Sequence, residues 1–307
     1  MRVFVTGASG WIGSAVVPEL IGAGHQVVGL ARSDASAAAL EKAGAEVRRG
    51  TLDDLDVLRD AAAGADGVIH LAFKHDVAFA EGRFQDAADA DRRVVEVFGD
   101  VLAGTGRPFV LASGLVGLLP GRVVTERDGL VPDETREIPV GPATRLATAH
   151  LTLSFASRGI RSSIVRLPPT VHGDGDQGFI ASIVGVAREK GVSGYIGDGA
   201  NRWPAGHVLD AARLFRLALE KAPAGSALHA SGEEGVPIRA VAEVIGRRLG
   251  QKVVSVDPAD AAEHFGWLAP FIGADAPASS ALTRELTGWR PTQAGLIDDL
   301  EKGHYFA

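Results

Sequence analysis

Cysteine is absent from the 307 residues. Its absence removes disulfides, thiol nucleophiles and thiolate metal sites together. No apolar run approaches the ~20 residues a membrane-spanning helix needs, so no membrane partner is expected. The chain also begins directly on strand-type residues, which leaves no stretch that reads as a secretory leader. A cytoplasmic protein is the expectation. Only two tyrosines occur, Tyr195 and Tyr305. Net charge is −7, with lysines and arginines scattered rather than striped, which argues against a nucleic-acid partner. The nine histidines are dispersed, and Asp174 and Asp176 lack the rest of a calcium loop, so no metal is expected. A Gly-x-Ser-x-Gly elbow is missing too.

Glycine, by contrast, is plentiful, and three glycines matter by position. Val3, Phe4 and Val5 form an apolar strand-type run into Thr6-Gly7-Ala8-Ser9-Gly10-Trp11-Ile12-Gly13. Helix-compatible residues follow, with Ile12, Ala15, Val16 and Leu20 apolar. Gly7 permits a backbone angle denied to other residues, Gly10 lets a diphosphate approach the main chain, and Gly13 lets the helix close on the strand. Free N–H groups and the helix dipole then favour an anion over the turn. A strand before the glycines and a helix after them is the context a dinucleotide site requires.

The rest of the first half alternates in the same way. Strands are expected over 26–31, 45–49, 66–72, 108–112 and 162–167. Helices are expected over 33–43, 53–63, 84–102 and 142–157. Strands apolar on both faces, alternating with helices, predict a doubly wound α/β fold with a parallel sheet covered on both sides. Right-handed crossovers put the ligand crevice beyond the strands' C-terminal ends. After Pro168-Pro169 the pattern shortens and becomes rich in glycine turns. A smaller, discontinuous α/β substrate lobe is expected from about 170–201 plus 226–307. Residues 1–169 plus about 202–225 then form the dinucleotide-binding domain, and a helix over 210–221 returns to it.

These features resemble a known family. The glycine turn, Asp53 after the third strand, Leu71-Ala72 ending the fourth and Ser113 ending the fifth all fit. So do Arg166-Leu167-Pro168-Pro169-Thr170-Val171-His172-Gly173, Gly197-Asp198-Gly199 and His207-Val208-Leu209-Asp210. In that order they resemble the extended short-chain dehydrogenase/reductase superfamily, which includes NAD-dependent epimerases and dehydratases. The resemblance implies a Rossmann-type domain holding a nicotinamide cofactor and a lobe holding a small-molecule substrate. It implies contacts to that cofactor from Gly7, Ser9, Gly10, Trp11, Ile12, Gly13, Leu71, Ala72, Phe73 and Pro168. A homodimer is the assembly to look for. One departure stands out. The family's proton donor is a Tyr four residues before a Lys, and the usual interval from Arg166 puts those positions at Gly141 and Arg145. Neither tyrosine of this chain is followed by Lys at that spacing.

Several residues can carry chemistry, each beside a plainer role. Arg32 follows the second strand where NAD-selective relatives carry an acid. It suits the 2′-phosphate of NADP(H), which is favoured over NAD(H), or is a solvated loop side chain. Asp53 either accepts from an adenine amino group or caps the helix it precedes. Ser113 is expected to hold a substrate oxygen, or is half of a turn pair with Gly114. Arg145 is expected to orient the cofactor ribose and place positive charge near a developing oxyanion, although its guanidinium is a poor acid, or is a surface side chain on its helix. The proton donor is sought among His75, beside Lys74 and Asp76, and His172, Tyr195 and His207, each otherwise structural: a solvated loop histidine, or a tyrosine ring packed with its hydroxyl partnered. A reaction drawing its proton from water is the other option. Arg202 and Trp203 are expected to touch substrate, the first holding an anion and the second stacking on a planar group, unless they are packing residues.

The expected function is therefore an NADP(H)-dependent oxidoreductase acting on a small carbonyl, imine or conjugated alkene, with a non-standard proton donor. A non-catalytic NADP(H)-sensing protein and a nucleotide-sugar epimerase or dehydratase are the alternatives.

Overall fold

The computed structural model describes residues 1–115, 118, 121–130 and 142–307. The alternation read from sequence is present. The strands and helices run β1 (Arg2–Thr6), α1 (Trp11–Gly22), β2 (Gln26–Ala31), α2 (Asp34–Lys42), β3 (Glu46–Arg49), α3 (Leu55–Ala63) and β4 (Gly67–His70). They continue with α4 (Phe84–Leu102), β5 (Pro108–Gly114), α5 (Pro142–Ser154), β6 (Arg161–Leu167) and β7 (Thr170–His172). Next come α6 (Phe179–Lys190), β8 (Val192–Ile196), β9 (Arg202–His207), α7 (Val208–Lys221), β10 (Ser226–His229), β11 (Glu233–Pro237), α8 (Ile238–Leu249) and β12 (Lys252–Val256). Four short helices follow: α9 (Ala261–Phe265), α10 (Ala269–Ile272), α11 (Ala281–Thr287) and α12 (Leu296–Glu301).

Seven strands form one parallel sheet in the order β10-β6-β5-β4-β1-β2-β3. β1 has β2 on one side and β4 on the other, so the winding reverses there and opens a crevice at the strands' C-terminal ends. The strands are apolar on both faces because helices cover both. On one face Val16 and Leu20 of α1 pack with Leu214 and Phe215 of α7 against Val3 and Val5. On the other, Leu58, Val94, Phe98 and Leu153 pack against Phe4, Val68 and Phe109. A fully buried ring such as Phe98 contributes about 2–3 kcal/mol by leaving water.

The remaining strands form a three-stranded sheet, β11-β9-β7, and a two-stranded one, β12-β8. A separate core serves them, including Ile183, Trp203, Ile245, Phe265 and Leu300. Two segments fall on the other side of the division expected from sequence. β10 begins at Ser226 yet pairs with β6, so it completes the large sheet. β9, within 202–225, pairs with β7 and β11 instead.

Local chemistry sets the element ends. α2 starts after Ser33, whose hydroxyl takes the Ser36 N–H while Ser36 returns a bond to the Ser33 N–H. α7 starts at Val208, two residues earlier than expected, because the His207 ring caps it by accepting from the Leu209 N–H. The polar stretch after β4 winds into a π-helical turn, Asp76–Ala80.

Candidate active site

The turn between β1 and α1 is as tight as its glycines require. Gly7 has φ +67°, and a Cβ there would lie 2.7 Å from the Ala72 nitrogen. A Cβ on Gly13 would lie 2.1 Å from the Gly7 carbonyl oxygen. Gly10 donates its N–H to the Gly7 carbonyl at 3.0 Å and precedes α1 with no side-chain cap. The first-turn N–H groups are thus left without a side-chain acceptor, at the positive end of the helix dipole. Ser9 and Gly10 are exposed, and Trp11 and Ile12 half-buried. This uncapped, side-chain-free cradle fits a diphosphate. The Trp11 ring points elsewhere, donating its indole N–H to the Val171 carbonyl at 3.0 Å and so tying α1 to β7. On the neighbouring strand end, the Leu71 N–H reaches the Thr6 carbonyl, and the Ala72 N–H reaches Thr6 Oγ1 at 3.3 Å.

At the β2 side of the crevice, Arg32 forms an exposed ion pair with Asp76 at 2.9 Å. Asp53 receives the Lys74 ammonium at 2.6 Å. Asp53 does not cap α3. The residue before that helix is Asp54, and its carboxylate takes the N–H and hydroxyl of Thr51, which hold its pKa below the usual aspartate value.

At the β5 side, Ser113 is half-buried, and its hydroxyl makes no hydrogen bond among the described residues. Arg145 on α5 reaches the carbonyl of the preceding residue, Ala112, at 3.1 Å. Its guanidinium lies over the Phe73 ring, 4.2 Å from the centroid, and its Nε is 4.0 Å from a carboxylate oxygen of Asp91. Gly141 lies outside the described residues. His75 sits between the Phe73 and Phe79 rings, at 5.1 and 5.9 Å. Loss of water around the ring, then the Arg145 charge, push its pKa below the ordinary histidine value. A lowered pKa leaves less of the ring protonated near neutrality, which weakens His75 as a general acid.

The residues expected to reach substrate from the smaller lobe are mostly occupied. His172 and Asp299, each 1% exposed, pair at 2.9 Å, with the His207 ring set edge-on to His172. Both histidines are spent on the fold. Arg202 holds Asp275 through Nε and Nη2 at 3.1 and 3.0 Å, so its charge is already matched. Trp203 is 2% exposed and donates to the Phe271 carbonyl, with the Phe179 ring against it. A ring this covered has no face for a planar substrate, so Trp203 is a packing residue. Tyr195 lies on β8 against Gly199 and under Arg239. Pro168 is buried against Gly206.

Sequence reasoning missed His70 and Asp91, which meet in the core behind Arg145 at 3.1 Å. A signal was available. Asp91 interrupts the apolar stripe Ala87, Val94 and Phe98 of α4, where a carboxylate has no reason to sit unless it is paired.

A model of the NAD dependent epimerase/dehydratase family matches residues 3–230. The chain belongs to this family. Among relatives, it is 49% identical over 306 residues to an uncharacterized protein of Schizosaccharomyces pombe, covering 100% of both chains. It is 28% identical over 291 residues to a 4-hydroxy-2-methyl-3-oxo-4-farnesyl-3,4-dihydroquinoline-1-oxide ketoreductase of Stigmatella aurantiaca, covering 91% of this chain and 84% of that one. The fold matches that of the UDP-glucose 4-epimerase of Thermotoga maritima crystallised with UDP-glucose. That match has a TM-score of 0.75 at 20% identity, over 100% of this chain and 98% of that one. Epimerase/dehydratase relatives thus include both reductases and epimerases. No helix among the described residues is long and apolar enough to cross a membrane.

Proposed function

We infer that the protein is an NADP(H)-dependent reductase of a small carbonyl, imine or conjugated alkene. The observation that carries this reading is one crevice with an uncapped helix N-terminus at its centre and, at one end, a hydroxyl that has no partner among the described residues, next in the chain to the carbonyl that holds the Arg145 cation. The cradle of Gly7, Gly10 and Gly13 would hold the diphosphate, with Leu71, Ala72 and Phe73 lining the adjoining strand end. Bound there, the nicotinamide nucleotide supplies a hydride. Ser113 donates its hydroxyl hydrogen to the substrate oxygen. Arg145, a guanidinium held beside Ala112, stabilises the negative charge that develops on it. With no Tyr–Lys pair at the family spacing and the His75 pKa lowered, water is the proton source, which suits a conjugated alkene whose carbonyl Ser113 and Arg145 hold, or an imine that enters already protonated.

The preference for NADP(H) rests on Arg32. Its present partner, Asp76, makes an exposed pair of the kind worth at most about 1 kcal/mol. A 2′-phosphate can displace it at little cost. Against a nucleotide-sugar substrate, a second diphosphate taking the lobe's Arg202 would have to break two side-chain bonds to Asp275, which the Arg202 backbone N–H also holds, where Arg32 gives up one.

The test is NADPH oxidation across a panel of carbonyls, imines and enones. Ser113→Ala should lower turnover of an active substrate by about 100-fold. Binding of neither nicotinamide nucleotide, by calorimetry or melting shift, would remove the reading. Tight binding without turnover of any panel member would favour a sensor.

A further inference from the structure

The buried carboxylate of Asp91 is half-satisfied. One oxygen, Oδ1, receives the His70 Nε2–H at 3.1 Å, and Oδ2 has no hydrogen-bond partner among the described residues. A dehydrated carboxylate with an idle oxygen is costly unless a cation faces it. The cation facing it is Arg145, with Nε 4.0 Å from Oδ2. On the other side of His70 the bonds continue to the glycine turn. The Ala72 N–H occupies Thr6 Oγ1, which leaves the threonine proton free to reach His70 Nδ1 at 2.5 Å. That assignment puts the ring's own proton on Nε2, facing Asp91. Ala72 is also the residue whose nitrogen a side chain on Gly7 would strike.

We propose that Asp91 is the positioning residue of this site. Its carboxylate fixes the Arg145 guanidinium over Phe73 and beside Ala112-Ser113, and the Thr6–His70–Asp91 chain ties that cation to the nucleotide cradle. The proposal deepens the reductase reading and rests on it for the role of Arg145. The physical need is plain. An arginine has many rotamers, and one cation–π contact does not select among them. A fixed counter-charge does, and it keeps the positive charge where the oxyanion develops.

Asp91→Asn preserves shape and leaves an acceptor for His70 while removing the charge. In nitrogen–proton spectra of the arginine Nε–H groups, the Arg145 signal is assigned by its loss in Arg145→Lys. Asp91→Asn should shift that signal and weaken NADPH binding by roughly tenfold, and the weakening should disappear in an Arg145→Gln background. A purely structural Asp91 would leave the signal in place and add its loss to that of Arg145→Gln; either result overturns the proposal. Should Asp91→Asn fail to fold, exchange of the Arg145 Nε–H in the unsubstituted protein decides. Slow exchange supports the pairing, and exchange as fast as that of exposed arginines refutes it. If Arg145→Gln alone leaves NADPH binding and turnover intact, the functional reading of Arg145 falls, and the Nε–H signal then judges the Asp91 pairing by itself.

Discussion

The crevice of the seven-stranded sheet and the smaller lobe differ in what becomes of the side chains the sequence marks for substrate. At the crevice, Ser113 Oγ lacks a hydrogen-bond partner among the described residues, and α1 begins without a side-chain cap. In the lobe, the residues the sequence marks for substrate have found partners inside the fold: His172 with Asp299, Arg202 with Asp275, Trp203 with the Phe271 carbonyl. Folding normally satisfies polar groups, so those left open at a concave site mark where a ligand finishes the job. Residue type alone does not separate the two cases, since arginine, serine and histidine occur in both.

That contrast can be attacked at four points. The largest effect is expected at the turn, where Gly13→Ala forces a methyl against the Gly7 carbonyl. Either the protein fails to fold or denaturation shows a loss of about 4 kcal/mol, with NADPH binding gone in both cases. A stable Gly13→Ala protein that binds normally would mean the turn is looser than described.

Next comes the lobe's buried pair. Burial alone would raise the Asp299 pKa, but bonds from His172 and Lys302 outweigh it and hold the group down at about 2, below the reference 3.8. A depressed carboxylate stabilises the fold above its unfolded pKa and loses that contribution as pH falls through the folded one. The window is therefore between about pH 4 and pH 2. Asp299→Asn should cost about 3 kcal/mol near neutrality and flatten acid unfolding across that window. Full stability in the variant would mean the lobe's polar groups are not bound up in the fold.

A smaller change is expected at the β2 side of the crevice. Arg32→Ala should weaken NADPH binding by about tenfold and leave NADH unchanged, by fluorescence titration. Asp76→Asn should tighten NADPH by a few-fold, because the phosphate no longer competes with a carboxylate. Equal losses for both nucleotides would remove the NADP(H) preference. The smallest effect is expected in the lobe. Arg202→Ala should lower stability by no more than about 1 kcal/mol, since the pair with Asp275 is partly solvated. It should leave turnover alone, and a fall in turnover would bring Arg202 back to the substrate.

Much of the fold was legible because it is written locally. The second strand, 26–31, and the long helix, 84–102, lie where periodicity puts them, and the glycine turn has the positive φ at Gly7 its position requires. The edges of the smaller lobe were less legible. The short β10 reads as readily with either sheet, and only its pairing with β6 decides. The site divides in the same way. Gly7, Gly10, Gly13 and Ser113 are placed by the elements they sit on. The fates of His172, Arg202 and Trp203 depend on neighbours distant in the chain.

The sequence by itself determined the alternation, the cradle and the family, because backbone geometry and apolar periodicity act over a few residues. Tertiary structure alone decided which charges are spent and which are free. Arg202 meets a carboxylate 73 residues away, and His172 meets one 127 residues away. Coulomb energy and desolvation depend on distance through space, and no spacing along the chain encodes it.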